Sequence, residues 1–244
     1  MRVALISSEF AGLPGSGGIG TYFHHLVRGL VRAKCEVEVF TSGKPGDLPA
    51  RDGVVFHHPG DSAPPDFAVW AGLAFRDRHR EKRFDVLECG ELKAEGKWAS
   101  RWVRDVAFVV RLHSPSLILN RYLDFQLTPW AYFKKLFFQV TVALGARRRR
   151  LPLPPIYLEP FAFSWNQEAD LEERAMTQAA DAVVVMNDEM REFAKGFWGI
   201  DGSVVKVVPN PYLPVGRASE ANMSLCSKGK TLGFLGRLEP RKGI

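Results

Sequence analysis

Four clusters in this 244-residue chain combine residue types and spacings that can do chemistry. The first is Gly15-Ser16-Gly17-Gly18-Ile19-Gly20-Thr21, which feeds directly into a helical pattern. Glycines let a backbone approach a ligand closely. A helix start adds unpaired N–H groups and a positive dipole end, which together suit phosphate oxygens. The plain alternative is a loop that only turns the chain. The second cluster is Arg111-Leu112-His113, at the end of an apolar run. His113 could hydrogen-bond a ligand hydroxyl or stabilise developing charge, or simply be satisfied by backbone. The third is Glu88-Cys89-Gly90-Glu91. Its carboxylates could bind ligand hydroxyls, or Glu91 could favour the first turn of a helix. The fourth is Arg237 and Lys242 inside the glycine-flanked segment Gly236–Gly243. There Arg237 would offer bidentate geometry and Lys242 a compact charge, enough to clamp a diphosphate.

These clusters need elements to position them, and the apolar pattern supplies a series. Strands are expected at Val3–Ser7, Glu36–Thr41, Val54–His57, Phe84–Glu88, Ala107–His113, Ala182–Met186 and Val204–Val208. Helical patterns fall at Ile19–Lys34, Phe67–Arg80, Glu91–Arg104, Glu168–Ala180 and Asn187–Phe197, the fourth preceded by a capping box at Ser164–Gln167. Apolar strands alternating with helices imply a parallel sheet covered on both faces, so the expected class is α/β, doubly wound. In such sheets ligands sit beyond the carboxyl ends of the strands, where the first three clusters fall.

The spacing Gly15, Gly17, Gly20 also matches a dinucleotide fingerprint. Two features oppose a nicotinamide site: Glu9–Pro14 separate the strand from the glycines, and the second strand ends Phe40-Thr41-Ser42 with no acid for a ribose. Three scattered cysteines, Cys35, Cys89 and Cys226, give neither a disulfide framework nor a zinc spacing. The formal net charge of +6 suits anionic partners, but no RNA-binding or helix-turn-helix signature accompanies it, so nucleic acid is not an expected partner. Met1–Ser8 reads as a first strand rather than a signal peptide, and no uncharged apolar stretch approaches a membrane span. Residues 114–166 break the rhythm with aromatics, Phe133-Lys-Lys-Leu-Phe-Phe138 and the run Arg147–Arg150. This is either an inserted helix packed on the body with a solvated arginine tail, or a patch that meets anionic lipid or a lipid-linked molecule.

Taken in order, Gly17-Gly-Ile-Gly-Thr-Tyr22, Phe84–Glu88, Arg111-Leu-His113, Leu171–Val184, Val208-Pro-Asn210 and Gly236–Gly243 resemble the retaining glycosyltransferases of family 4, which have the two-domain GT-B fold. The resemblance covers essentially the whole chain. It implies an N-terminal Rossmann-like, acceptor-side domain over 1–214, a linker over 215–230 and the start of a donor-binding domain over 231–244. A nucleotide-sugar donor would meet Gly17, Gly18, Arg237 and Lys242 through its phosphates and His113, the catalytic candidate, through its sugar. Tyr22, Glu88 and Glu91 would face a saccharide or lipid-linked acceptor. Cations and helix dipoles, not a metal ion or other cofactor, would stabilise the leaving group. The expected location is the cytoplasm, with peripheral attachment to the inner membrane face as an option. The family's acidic donor-sugar motif would lie beyond Ile244, so the 244-residue chain alone is expected to be inactive. Two other readings are a nucleotide-sugar epimerase of the same fold and a non-catalytic, membrane-associated binding module. The Arg237 and Lys242 segment favours the transferase.

Overall fold

The computed structural model describes residues 1–44, 46–48, 53–61, 63–119, 129–148 and 167–211. Seven parallel strands form one sheet: β1 Arg2–Ile6, β2 Glu36–Phe40, β3 Val54–His57, β4 Val86–Gly90, β5 Ala107–Arg111, β6 Ala182–Val185 and β7 Val205–Val207. Their order is β3-β2-β1-β4-β5-β6-β7. The helices are α1 Gly18–Arg32, α2 Phe67–Glu81, α3 Lys97–Trp102, α4 Pro129–Arg148, α5 Gln167–Gln178 and α6 Asp188–Gly196. The expected doubly wound α/β, Rossmann-like class is therefore what the chain adopts.

The period-two alternation of strand side chains divides the core. Val3, Leu5, Val37 and Val39 point to the α1 side, where they join Phe10, Phe23 and Val27. Ala4, Ile6, Leu87, Phe108, Val110 and Val183 point to the other side, packing with Phe75 of α2, Met176 of α5 and Ala194 of α6. On that second side α2 and α3 approach very closely. A Cβ placed at Gly72 would lie 2.7 Å from the Trp98 Cβ, so this position has room for hydrogen only. Asp66 caps α2 by accepting from the Ala68 and Val69 N–H groups, and Asn187 caps α6 by accepting from Met190 N–H.

The sheet order runs outward in opposite directions from β1 and β4. The crevice beyond their carboxyl ends is thus the switch point at which open α/β sheets bind ligands. A buried ion cluster fixes the other flank. Glu38 on β2 accepts from Arg2, from Arg78 Nε at 2.9 Å, and lies 2.7 Å from His57 Nε2, while the Arg2 guanidinium rests 3.9 Å above the Phe84 ring. Burial acts to raise the Glu38 carboxyl, but hydrogen bonds from Arg78, Arg2 and His57 outweigh it and hold the group down at about 2.

Three expectations need correction. The strand expected at Phe84–Glu88 runs Val86–Gly90, because Asp85 accepts the Arg2 N–H at 2.7 Å and Phe84 is buried under Arg2. The helix expected over Glu91–Arg104 is broken into a 3₁₀ turn, Leu92–Ala94, and α3; Lys93 and Ala94 take positive φ values of 57° and 48°. Arg147 and Arg148 belong to the last turn of α4 rather than to a tail. Ser164 of the capping box, the linker, the start of a second domain, Cys226, Arg237 and Lys242 all lie outside the described residues.

Candidate functional site

At the switch point the loop after β1 folds back onto the first turn of α1. A Cβ at Gly20 would fall 3.0 Å from the Phe10 carbonyl carbon and on top of the Ser16 hydroxyl, so only glycine allows this approach. The helix has no side-chain cap of its own. Glu9 supplies one from outside, accepting the Gly17 N–H at 2.8 Å. At Gly18, by contrast, an added Cβ would meet nothing within 4 Å. The glycine loop therefore presents an open backbone at a helix start, with one of its N–H groups already taken by a carboxylate.

One turn further on, Tyr22 reaches across to β4, and its hydroxyl donates to Glu88 Oε1 at 2.6 Å. Arg111, 1% exposed at the end of β5, lies 4.9 Å over the Tyr22 ring and donates through Nη2 to Asn210 Oδ1 at 2.6 Å. Burial raises the Tyr22 hydroxyl well above its ordinary range, and the neighbouring Glu88 adds to the effect. Burial likewise raises the Glu88 carboxyl, against the Tyr22 hydrogen bond and the charge of Arg111, which both lower it. The result is a tight set of groups from α1, β4, β5 and the segment after β7.

His113 completes this set. Its ring stands edge-on to Tyr22 with centroids 4.6 Å apart, and is 7% exposed. Burial, helped by Arg111, pushes its pKa down to about 3, so the imidazole is neutral across the physiological range. Its Nε2 is buried without a hydrogen-bond partner among the described residues. A neutral ring with an idle nitrogen is suited to hydrogen-bonding a ligand and unsuited to serving as an acid near neutrality.

Two further carboxylates hold the His113 segment in place. Glu91, 0% exposed, accepts the His113 N–H through Oε2 at 2.9 Å and the Ser114 N–H through Oε1. Burial raises its carboxyl to about 7, despite the backbone hydrogen bonds that act to lower it. Glu173 on α5 accepts the Ser116 N–H at 2.9 Å, the Ser116 hydroxyl at 2.7 Å and the Lys93 N–H at 3.0 Å. Glu95 accepts the Ser8 N–H at 2.8 Å on the far side of the crevice.

Of the residues singled out in the sequence, the structure gathers Tyr22, Glu88 and His113 around Arg111, with Gly17 and Gly18 on the same helix start as Tyr22. Glu91 is adjacent but buried, with both oxygens engaged by backbone. Glu9, Glu95, Glu173 and Asn210 were missed as site residues. Glu9 carried a signal, because an acid between the first strand and the glycine loop is out of place in a plain phosphate loop. The other three act through long-range contacts. Among the described residues no three His, Cys, Asp or Glu side chains gather as a metal site.

The family model of Glycosyltransferase Family 4 matches residues 16–212, which include the glycine loop, Glu88, Arg111, His113 and Asn210. This chain belongs to glycosyltransferase family 4. No curated protein matches it. Among solved structures it is similar to a variant of Os79 from O. sativa in complex with UDP, with a TM-score of 0.50 and 17% identity over 88% of this chain and 53% of that one. Another Os79 variant with UDP gives a TM-score of 0.49 and 17% identity over 99% and 57%. A UDP-glucosyltransferase from Polygonum tinctorium gives 0.49 and 13% over 88% and 54%. At such identities the likeness speaks for the fold alone. The chain spans little more than half the length of these proteins.

Proposed function

We propose that this chain is the acceptor-side half of a retaining glycosyltransferase that moves a sugar from a nucleotide-sugar donor to a saccharide or lipid-linked acceptor. The observation that carries the reading is the idle, neutral Nε2 of His113 at the switch point of a family 4 domain. In the transfer the acceptor oxygen bonds to the donor's anomeric carbon as that carbon releases the nucleoside diphosphate, and the acceptor proton leaves with the departing phosphate. His113, a neutral imidazole, hydrogen-bonds a donor-sugar hydroxyl and transfers no proton. Gly17 and Gly18 face the phosphates, with Arg237 and Lys242 neutralising them in place of a metal ion. Tyr22, Glu88 and the Glu91-supported loop border the acceptor.

Turnover needs a donor-binding half as well as this acceptor-side one. The test has two arms. Nucleotide sugars and simple glycosides are titrated into the chain while the His113 ring protons are followed by NMR, and turnover is assayed in parallel. The reading expects saturable shifts at His113 that vanish in Gly18→Val, with no turnover. Robust sugar transfer by this chain alone, or no shift with any sugar, would overturn it.

A further inference from the structure

We infer that Asn210 is a positioning residue for the crevice, acting through the Arg111 guanidinium on the rings of Tyr22 and His113. Arg111 ends β5, and Asn210 follows β7, which lies two strands away across β6. Neighbouring strands sit about 4.8 Å apart, so only a long side chain bridges that gap. Arg111 does so: its Nη2 donates to Asn210 Oδ1 at 2.6 Å, while its Cζ lies 4.9 Å from the centre of the Tyr22 ring. Those are few restraints for a buried cation. A guanidinium has five N–H donors and keeps its charge in a protein, so burying it is costly unless the donors are met. Arg111 is 1% exposed, yet its Nε has no hydrogen-bond partner among the described residues. Among them, Asn210 takes the one side-chain hydrogen bond that Arg111 makes.

A stronger acceptor stands nearby and is left unused. Glu88 feels the charge of Arg111, but no ion pair joins the two; Glu88 Oε1 accepts the Tyr22 hydroxyl at 2.6 Å instead. Once freed from Asn210, the guanidinium would close on that carboxylate as a two-pronged ion pair. Such a swing draws the cation off the face of Tyr22 and competes for the oxygen that takes its hydroxyl. Tyr22 stands edge-on to His113 with centroids 4.6 Å apart, so the histidine ring shifts with it. The amide of Asn210 holds the fork off Glu88 and thereby keeps both rings in place. The consequence for sugar binding rests on the assignment of His113 to the donor sugar; the ring geometry does not.

Asn210 is exposed, so Asn210→Ala should keep the parent's circular dichroism. In the sugar-free chain, the nuclear Overhauser contact between the Tyr22 and His113 rings should weaken severalfold in Asn210→Ala. It should persist in Asn210→Asp, which still accepts from the guanidinium. Adding Glu88→Gln to Asn210→Ala should restore it, because glutamine accepts the Tyr22 hydroxyl but offers Arg111 no charge. In Arg111→Met, adding Asn210→Ala should change nothing, since a residue that acts through another is silent once that other is gone. With UDP-glucose as the probe, Asn210→Ala should weaken the His113 titration about tenfold and Asn210→Asp less than about twofold. Four results would each overturn the inference: an unchanged ring contact in Asn210→Ala, a contact that Glu88→Gln fails to restore, a further loss on adding Asn210→Ala to Arg111→Met, or equal losses of affinity in Asn210→Ala and Asn210→Asp. If His113 of the parent answers to no nucleotide sugar, the sugar assignment fails, while the ring contact still decides the role of Asn210.

Discussion

Replacing Glu91 with glutamine should make the protein more stable at alkaline pH while loosening the segment that carries His113. The Glu91 carboxyl is fully buried and raised to about 7. In the unfolded chain it returns to the ordinary glutamate value of 4.5. The folded state therefore holds the proton more tightly. Stability from this group is complete below about 4.5 and is lost as pH rises through about 7. At 1.36 kcal/mol per pH unit of displacement, the loss is roughly 3 kcal/mol. Glutamine has nearly the shape of the protonated acid and cannot ionise. The variant should match wild type near pH 4.5 and exceed it by about 2–3 kcal/mol near pH 8. Glu88, Glu95, Asp170 and Glu173 are also raised by burial and slope the same way, so only the difference between the two proteins isolates Glu91. The measurement is urea unfolding at several pH values. Hydrogen exchange supplies a second readout: the amides of His113 and Ser114 lose a charged acceptor and should exchange faster even as global stability rises. Parallel stability profiles for the two proteins would refute the reasoning.

Glu38→Gln should cost about 3–5 kcal/mol at pH 7, because it strands the buried Arg2 guanidinium. Since Glu38 is held at about 2, its stabilisation is present above about 4.5 and lost as pH falls toward 2; acid unfolding of the variant should lack that step. Gly72→Ala should destabilise by about 1–3 kcal/mol through the clash with Trp98, whereas Gly29→Ala, with open space and a helical position, should be neutral or stabilise by up to about 1 kcal/mol. Thermal melts separate these two. Tyr22→Phe leaves Glu88 without its hydroxyl donor and should cost about 1–3 kcal/mol in chemical unfolding, with no change in the sheet's circular dichroism.

Much of the fold was legible because it depends on local patterns. The apolar runs of β1 and β5 are largely buried on both faces and read as strands for that reason, while β2 reads as one from its alternation of Glu36, Val37, Glu38 and Val39. The glycine loop was legible because close backbone approach excludes other residues, as the Phe10 contact at Gly20 shows. Where the reading slipped, tertiary contacts overrode local preference. Phe84 and Asp85 look like strand residues but serve Arg2, seen only when β1 and β4 lie side by side. Glu91–Arg104 has a helical pattern, yet the pull of Glu173 on Lys93 N–H and of Glu91 on the His113 loop breaks it after four residues. Single-sequence periodicity contains no information about such pairs. Hence Glu95, Glu173 and Asn210 were invisible as site residues, and Glu9 was marked only by its place ahead of the glycine loop.

Three of the missed residues share a physical role with Glu91. Glu9, Glu91, Glu95 and Glu173 each accept backbone N–H groups from loops at the carboxyl ends of strands, where no ladder partners exist. A loop satisfied by water would be free to move, and a histidine on it would be placed only approximately. A buried carboxylate holds the loop more firmly, because a charge-assisted hydrogen bond is shorter and about twice as strong as a neutral one. It does so at a cost in stability that is visible in the raised carboxyls of Glu91, Glu95 and Glu173. Stability alone would favour glutamine at such positions, at least at Glu91. The use of carboxylates instead makes sense where the position of one side chain matters more than a few kcal/mol. Glu91 and Glu173 converge on the segment from His113 to Ser116, which carries an imidazole whose Nε2 has no hydrogen-bond partner among the described residues.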